Sequence, residues 1–221
     1  MTASYGEFSD FRPTSDFVRA FLPEAPSRLL EIGCGSGELA LALQQNGYDI
    51  TAIDPAAPEG PPFSKTTLEA FTGSAPFARV VAMRALHHIP DLDGAITKIA
   101  ALMGPGGAFI LEDFGWERMD DPTLAWFFER MRALGRGPRD GPVPASLEEC
   151  RQSWTREHAD LHTSKAMFAA LGARFSTRMF AWTHYLNHLL KDPEGKDGEI
   201  EALISERISP IAFRFVGFPK M

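Results

Sequence analysis

The hydrophobic pattern changes period along the chain, and the changes mark out an alternation of strands and helices. A short apolar run at Arg28–Ile32 leads into Glu38-Leu-Ala-Leu-Ala-Leu-Gln-Gln, which predicts a helix over 37–46 with Gly47 just past its end. Residues 48–54 read as a second strand ending in a carboxylate, and 64–67, 79–83 and 108–112 as a third, fourth and fifth. A helix over 91–103 separates the last two and is closed by Gly104-Pro-Gly-Gly; an earlier helix is expected at 15–22. Strands alternating with helices imply a parallel sheet with helices on its faces. One crossover departs from this pattern. Pro55, Pro58, Pro61 and Pro62 fall between the second and third strands and exclude a regular helix, so an extended connection and a thinly covered sheet edge are expected.

After the fifth strand the rhythm is different. Leu124, Phe127, Phe128, Met131 and Leu134 recur at helical spacing across Asp121–Leu134. A Gly/Pro-rich loop over 135–145 follows, then helices over 147–159 and 164–171. Residues 174–182 and 212–218 read as two late strands, with helical stretches at 185–190 and 199–208 between them.

The chemistry concentrates at 28–37, Arg-Leu-Leu-Glu-Ile-Gly-Cys-Gly-Ser-Gly. A strand running through a glycine turn into a helix brings a ligand against backbone N–H groups at the helix N-terminus. Glycine suits the turn because a residue without Cβ allows positive φ and close ligand approach. A dinucleotide fingerprint needs glycines at its first, third and sixth positions, and the sixth here is Glu38. Alternate glycines with an acidic residue, Glu31, two before the first resemble instead motif I of the class I S-adenosylmethionine-dependent methyltransferases. Asp54 ends the next strand, where a carboxylate can accept both hydroxyls of a ribose; the bland alternative is a turn or capping aspartate before Pro55. Ala82-Met-Arg-Ala-Leu-His-His-Ile-Pro and Gly104-Pro-Gly-Gly also resemble family segments, so the likeness spans 28–114.

The resemblance implies a Rossmann-like, doubly wound α/β fold: a mostly parallel seven-stranded sheet, helices on both faces, and a late antiparallel hairpin. It implies one domain over 1–221, with 116–162 as a helical lid inserted after the fifth strand. It implies S-adenosylmethionine as cofactor, Glu31, Gly33, Gly35 and Gly37 holding its amino-acid end, and Asp54 its ribose. Leu68 and Glu69 would meet the adenine, and Met83 and Arg84 the methionine part. Glu112 and Asp113 would face the substrate. The proline-rich crossover departs from the family pattern and bears on the adenine contacts. No Asn-Pro-Pro-Tyr follows the fourth strand, which argues against adenine amino groups and glutamine amides as acceptors.

Composition narrows the partners. The 221 residues are 44% hydrophobic and 23% charged, as in soluble globular proteins. A net charge of −7 without a Lys/Arg run disfavours nucleic acid, and no apolar run reaches membrane-spanning length. Two cysteines, Cys34 and Cys150, are too few for a disulfide framework or a cysteine metal site. No signal peptide is evident, so a cytoplasmic location is expected, with a small-molecule acceptor and no membrane partner.

Methyl transfer from a sulfonium needs alignment above all, and a base only when the acceptor must lose a proton. His87 and His88 are the candidate bases, with cofactor packing as the structural alternative. His158 and His162, spaced i, i+4, are candidates for the substrate pocket; no metal site is expected from them, because the His-Glu-x-x-His pattern is missing. Trp116, Phe127, Phe128 and Trp182 either line an apolar acceptor pocket or pack the core. Tyr5, Phe8 and Phe11 suggest an aromatic cover over the cofactor or a disordered terminus. His184 and His188 are expected at the surface or rim. The reading that results is methyl transfer to an oxygen or nitrogen of a small molecule. Its rivals are a methyltransferase-fold protein that catalyses another reaction or only binds the cofactor, a macromolecular methyltransferase, and, most distantly, an oxidoreductase.

Overall fold

The computed structural model describes residues 8–74 and 76–220. Strands β1 (Arg28–Ile32), β2 (Asp49–Ile53), β3 (Phe63–Ser64), β4 (Phe77–Met83), β5 (Met103–Phe114), β6 (Phe175–Thr183) and β7 (Ala212–Pro219) form one sheet in the order β3-β2-β1-β4-β5-β7-β6. The pairings through β5 are parallel, and β7 runs antiparallel to both β5 and β6. From β1 the chain builds outward to β3, then returns to add β4 and β5 on the other side. The C-terminal ends of β1 and β4 therefore flank a switch point, where open α/β sheets bind ligands.

Helices α1 (Thr14–Arg19), α2 (Glu38–Gln45), α3 (Leu92–Leu102), α4 (Asp121–Leu134), α5 (Leu147–His158), α6 (Ser164–Arg174), α7 (Leu186–Leu189) and α8 (Lys196–Ile204) complete the order. Local chemistry sets several ends. Asp120 caps α4 by accepting from the Thr123 N–H at 2.9 Å, and Gly135 ends it in the left-handed region. Ser146 caps α5 at the Glu149 N–H. One set of strand positions packs into a large core with α3 and α6, the alternate set packs against α1 and α2, and α4, α5 and α7 build a second core around Phe114, Phe127, Trp154 and Leu186. No described helix is long and apolar enough to cross a membrane.

Two differences from the sequence reading concern β3 and β5. The third strand is only Phe63–Ser64, because the proline-rich crossover, which holds no helix, delivers the chain to the sheet edge for two residues. The Gly104-Pro-Gly-Gly stretch is not a loop but the start of β5, since Met103 pairs with Phe77 across a register shift.

Candidate active site

The glycine turn is held by its neighbours. The N–H groups of Gly33 and Cys34 both donate to the Ile53 carbonyl at the end of β2, at 2.8 and 3.2 Å. The Gly35 N–H donates to Asp54 Oδ2 at 3.0 Å, and the Ala56 N–H to Oδ1 at 2.7 Å. Gly33, Gly35 and Gly37 have φ of 74°, 50° and 84°, a region where side chains are strained. A Cβ on Gly33 would lie 2.3 Å from the Ala85 Cβ, and one on Gly37 equally close to the Phe63 ring. One on Gly35 would meet nothing within 4 Å, so that backbone faces open space.

Beside the turn lies a cavity of about 190 Å³, walled by Gly33, Asp54, Leu68, Glu69, Ala85 and His88 among others. A second, of about 390 Å³, is walled by Met83, Arg84, His87, His88, Phe114, Arg139, Glu157, His158, Tyr185, His188 and Lys191, with Leu161 and Leu189. His88 is in both walls.

His87 is nearly fully buried on the short turn after β4, and its Nδ1 donates to Asp113 Oδ1 at 2.5 Å. Asp113, wholly buried, also accepts from the N–H groups of Leu86, His87 and Phe114, at 2.9, 3.4 and 2.8 Å. That saturation with donors is what a buried carboxylate requires. It also fixes the tautomer: with the proton on Nδ1, the His87 Nε2 lone pair is the free one. The His88 ring lies tilted against that of His87, 4.1 Å between ring centroids, and burial and the adjoining His87 push its pKa down. His158 donates from Nδ1 to the Trp154 carbonyl at 2.7 Å, and burial lowers its pKa too.

A family profile described as a methyltransferase domain matches residues 7–161, the greater part of the chain. The chain belongs to the class I S-adenosylmethionine-dependent methyltransferases. It is 37% identical over 94 residues to a ubiquinone biosynthesis O-methyltransferase of Methylocella silvestris, covering 36% of this chain and 37% of that one. It is 31% identical over 173 residues to the Xylella fastidiosa protein of that name, covering 66% and 65%. The match thus spans between about a third and two thirds of these relatives' lengths. Among solved structures it resembles the 1,6-didemethyltoxoflavin-N1-methyltransferase of Burkholderia thailandensis, which holds 1,6-didemethyltoxoflavin and S-adenosylhomocysteine. That likeness has a TM-score of 0.55 at 18% identity over 95% of this chain and 77% of that one, and concerns the fold.

The methyltransferase's own residues fit the family's cofactor. Glu31, buried at the end of β1, has its Oε2 without a hydrogen-bond partner. Burial raises its pKa to about 7; the Ala40 N–H pulls it back, and Asp54 adds to the rise. A buried orphan acceptor beside an open glycine turn suits an ammonium group. Asp54 spends one acceptor site of each oxygen on backbone N–H groups and retains lone pairs toward the cavity.

Several expected positions lie elsewhere than the sequence reading put them. Met83 and Arg84 are in the wall of the histidine cavity, not of the cavity beside the turn. Glu112 does not face the histidine cavity. Its oxygens are taken by Arg84 at 2.9 Å, Thr14 at 3.0 Å and the fully buried Arg214 at 2.8 Å, and it borders a further cavity near Thr14. Asp113 stands behind His87 rather than in the wall. Consecutive strand residues point to opposite faces, so Glu112 and Asp113 cannot share one pocket. Trp116 is turned away: its Nε1 donates to the Leu161 carbonyl and its own carbonyl accepts from Trp154. His162 lies beyond the end of α5 and donates from Nε2 to the Ile89 carbonyl at 2.9 Å, which braces the His87–His88 turn. Phe8 and Phe11 do not cover the glycine turn. The Phe8 carbonyl accepts from Trp182 on the far edge strand and Phe11 lies near His184, while Tyr5 is outside the described residues. Trp182 carries the Arg118 guanidinium 3.9 Å from its centroid, and Phe128 packs in the second core. His184 is half-buried, with its pKa lowered to about 4 by burial, whereas His188 is an exposed wall residue. Arg139 and Lys191, which with Tyr185 complete the histidine cavity, carry no periodic or motif signal in the sequence.

Proposed function

We propose that the enzyme transfers a methyl group from S-adenosylmethionine to the oxygen of a phenolic or enolic hydroxyl on a small molecule, with His87 as general base. The observation that carries this reading is the His87–Asp113 pair in the wall of a cavity that meets the glycine-turn cavity at His88. A base held in one tautomer by a buried carboxylate serves an acceptor that must lose a proton, and the named O-methyltransferase relatives support the same choice.

The residue roles follow from position. Glu31 and the glycine turn take the cofactor's amino-acid end, Asp54 its ribose, and Leu68 and Glu69 its adenine. Bound there, the cofactor supplies an electrophilic methyl on a sulfonium, and the C–S electron pair stays on sulfur when that bond breaks. The His87 Nε2 accepts the hydroxyl proton while the acceptor's oxygen pair forms the new C–O bond. Asp113 keeps the other ring proton on Nδ1 and balances the imidazolium that results. His88, whose lowered pKa favours the neutral ring, can stand between the cavities without opposing a cationic donor. Segment 116–162, which carries Arg139, Glu157 and His158, closes over the acceptor.

The test is transfer of a radiolabelled methyl from the donor to 4-methylcatechol, with calorimetric titration of S-adenosylhomocysteine alongside. His87→Ala should lose turnover and keep product affinity. Retained turnover would remove His87 as base. Binding of S-adenosylhomocysteine with no transfer to phenols or amines would favour the non-methylating reading.

A further inference from the structure

Another cavity, of about 440 Å³, lies under the Gly/Pro-rich loop that joins α4 to α5. Its deepest side chains are apolar and almost fully buried: Phe127, Met131, Cys150 and Trp154, from 1 to 8% exposed. Arg139, Glu157, His158 and Leu189 belong both to this wall and to that of the histidine cavity, so the two spaces adjoin.

The loop that roofs the cavity is pinned. The Gly137 N–H donates to the Gly141 carbonyl at 2.7 Å, and Asp140 is gripped by Arg136 and Lys191 at 2.7 and 2.8 Å. Pro138, Pro142 and Pro144 stiffen the same stretch. Arg139, which belongs to both walls, and its neighbour Asp140 hold positive φ, 55° and 62°, a strain that persists only where the surroundings impose it. A pocket bordered by a braced loop and floored by buried aromatic and sulfur-bearing side chains is a built feature.

We infer that this chamber receives an apolar substituent of the methyl acceptor, whose hydroxylated ring occupies the histidine cavity. The inference rests on the proposed phenolic reading for the head and adds the tail. The acceptor class is therefore an alkyl-substituted or otherwise lipophilic hydroxyaromatic, not a small polar phenol. His158 stands between the two parts, with its Nδ1 tied back to Trp154 in the chamber floor.

The probe is a series of 4-alkylcatechols from methyl to hexyl, titrated by calorimetry into protein saturated with S-adenosylhomocysteine. Affinity should rise about fourfold per methylene over the first three added carbons, the fold-change of a CH₂ taken out of water. Val143→Trp, which fills the chamber from the half-buried loop, should cut the hexyl-to-methyl affinity ratio by at least about tenfold, the loss of two or more buried methylenes. Ser153→Phe, from the α5 side, should do the same, and S-adenosylhomocysteine affinity reports that each variant is folded. A flat series, no binding by any member, or a chain-length dependence indifferent to both variants would overturn the chamber. Methyl transfer to 4-methylcatechol is measured separately: its failure alongside an intact chain-length dependence would sink the head-group chemistry and leave the chamber standing.

Discussion

Replacing Glu31 with glutamine tests the cofactor end of the site through stability, before any ligand is added. The folded carboxyl titrates near 7 against an ordinary 4.5, because the end of β1 takes it out of water. Well below pH 4.5 the proton is present in both folded and unfolded chains, and the site costs nothing. As pH rises, the unfolded chain releases that proton first while the folded one holds it to about 7. Stability is lost across that window and then levels off. Linkage at 1.36 kcal/mol per pH unit puts the whole loss at about 3 kcal/mol, most of it between pH 5 and pH 8. Glu31→Gln keeps the shape and cannot titrate. Urea unfolding at the two pH values should show the variant gaining on the wild type by that amount. Parallel pH dependences would mean that Glu31 is not desolvated and the orphan-acceptor reasoning is wrong. The ligand adds the complement: if Glu31 must be ionised to meet the ammonium, wild-type affinity for S-adenosylhomocysteine rises about tenfold from pH 6 to pH 8. Glu31→Gln binds more weakly and lacks the rise.

Gly35→Val should abolish S-adenosylhomocysteine binding in calorimetry with little loss of thermal stability beyond the φ strain, since its side chain would enter open space; unchanged affinity would remove the turn from the site. Asp54→Ala should weaken that binding by about 1.5–3 kcal/mol, the scale of a hydrogen bond to a charged group. Asp113→Asn should lower kcat by about 10²–10⁴, the range of general-base catalysis, and move the pH–rate profile, while leaving S-adenosylhomocysteine affinity intact; an unmoved profile would make Asp113 a scaffold residue only. Arg214→Met should cost about 3–5 kcal/mol in denaturant unfolding, because Glu112 and Asp10 lose their buried counter-charge; a neutral result would mean that those carboxylates find other partners.

The sheet and the cofactor end were legible in the sequence because both are local. Glycine spacing, the strand-ending Asp54 and the hydrophobic period each lie within a short window. The bond from Gly35 to Asp54 then ties two of those windows together. The acceptor end was not legible in the same way. His87 and His88 stood out by residue type, but the partner that fixes His87 lies 26 residues on, at a strand position whose face depends on register. Glu112 seemed equally available until Thr14 and Arg214, from distant parts of the chain, occupied it. His158 and His162 have helical spacing, yet the helix ends at His158, so they diverge to different carbonyls. Arg139 and Lys191 reach the cavity through irregular segments that carry no pattern.

The ion cluster around Arg214 also says something about the order in which the molecule can be made. Its guanidinium holds the Asp10 and Arg12 carbonyls and the Glu112 carboxylate, so the anchor for the segment before α1 is 204 residues away. On the ribosome that segment is made well before the hairpin of β6 and β7 and waits for it. Until β7 docks beside β5, the Glu112 and Asp10 carboxylates have no buried cation to meet and must remain in water. Closure of the N-terminal segment and insertion of β7 are thus one late event. A nascent chain stalled before residue 214 should carry this edge of the sheet open, and so be the form on which chaperones and proteases act.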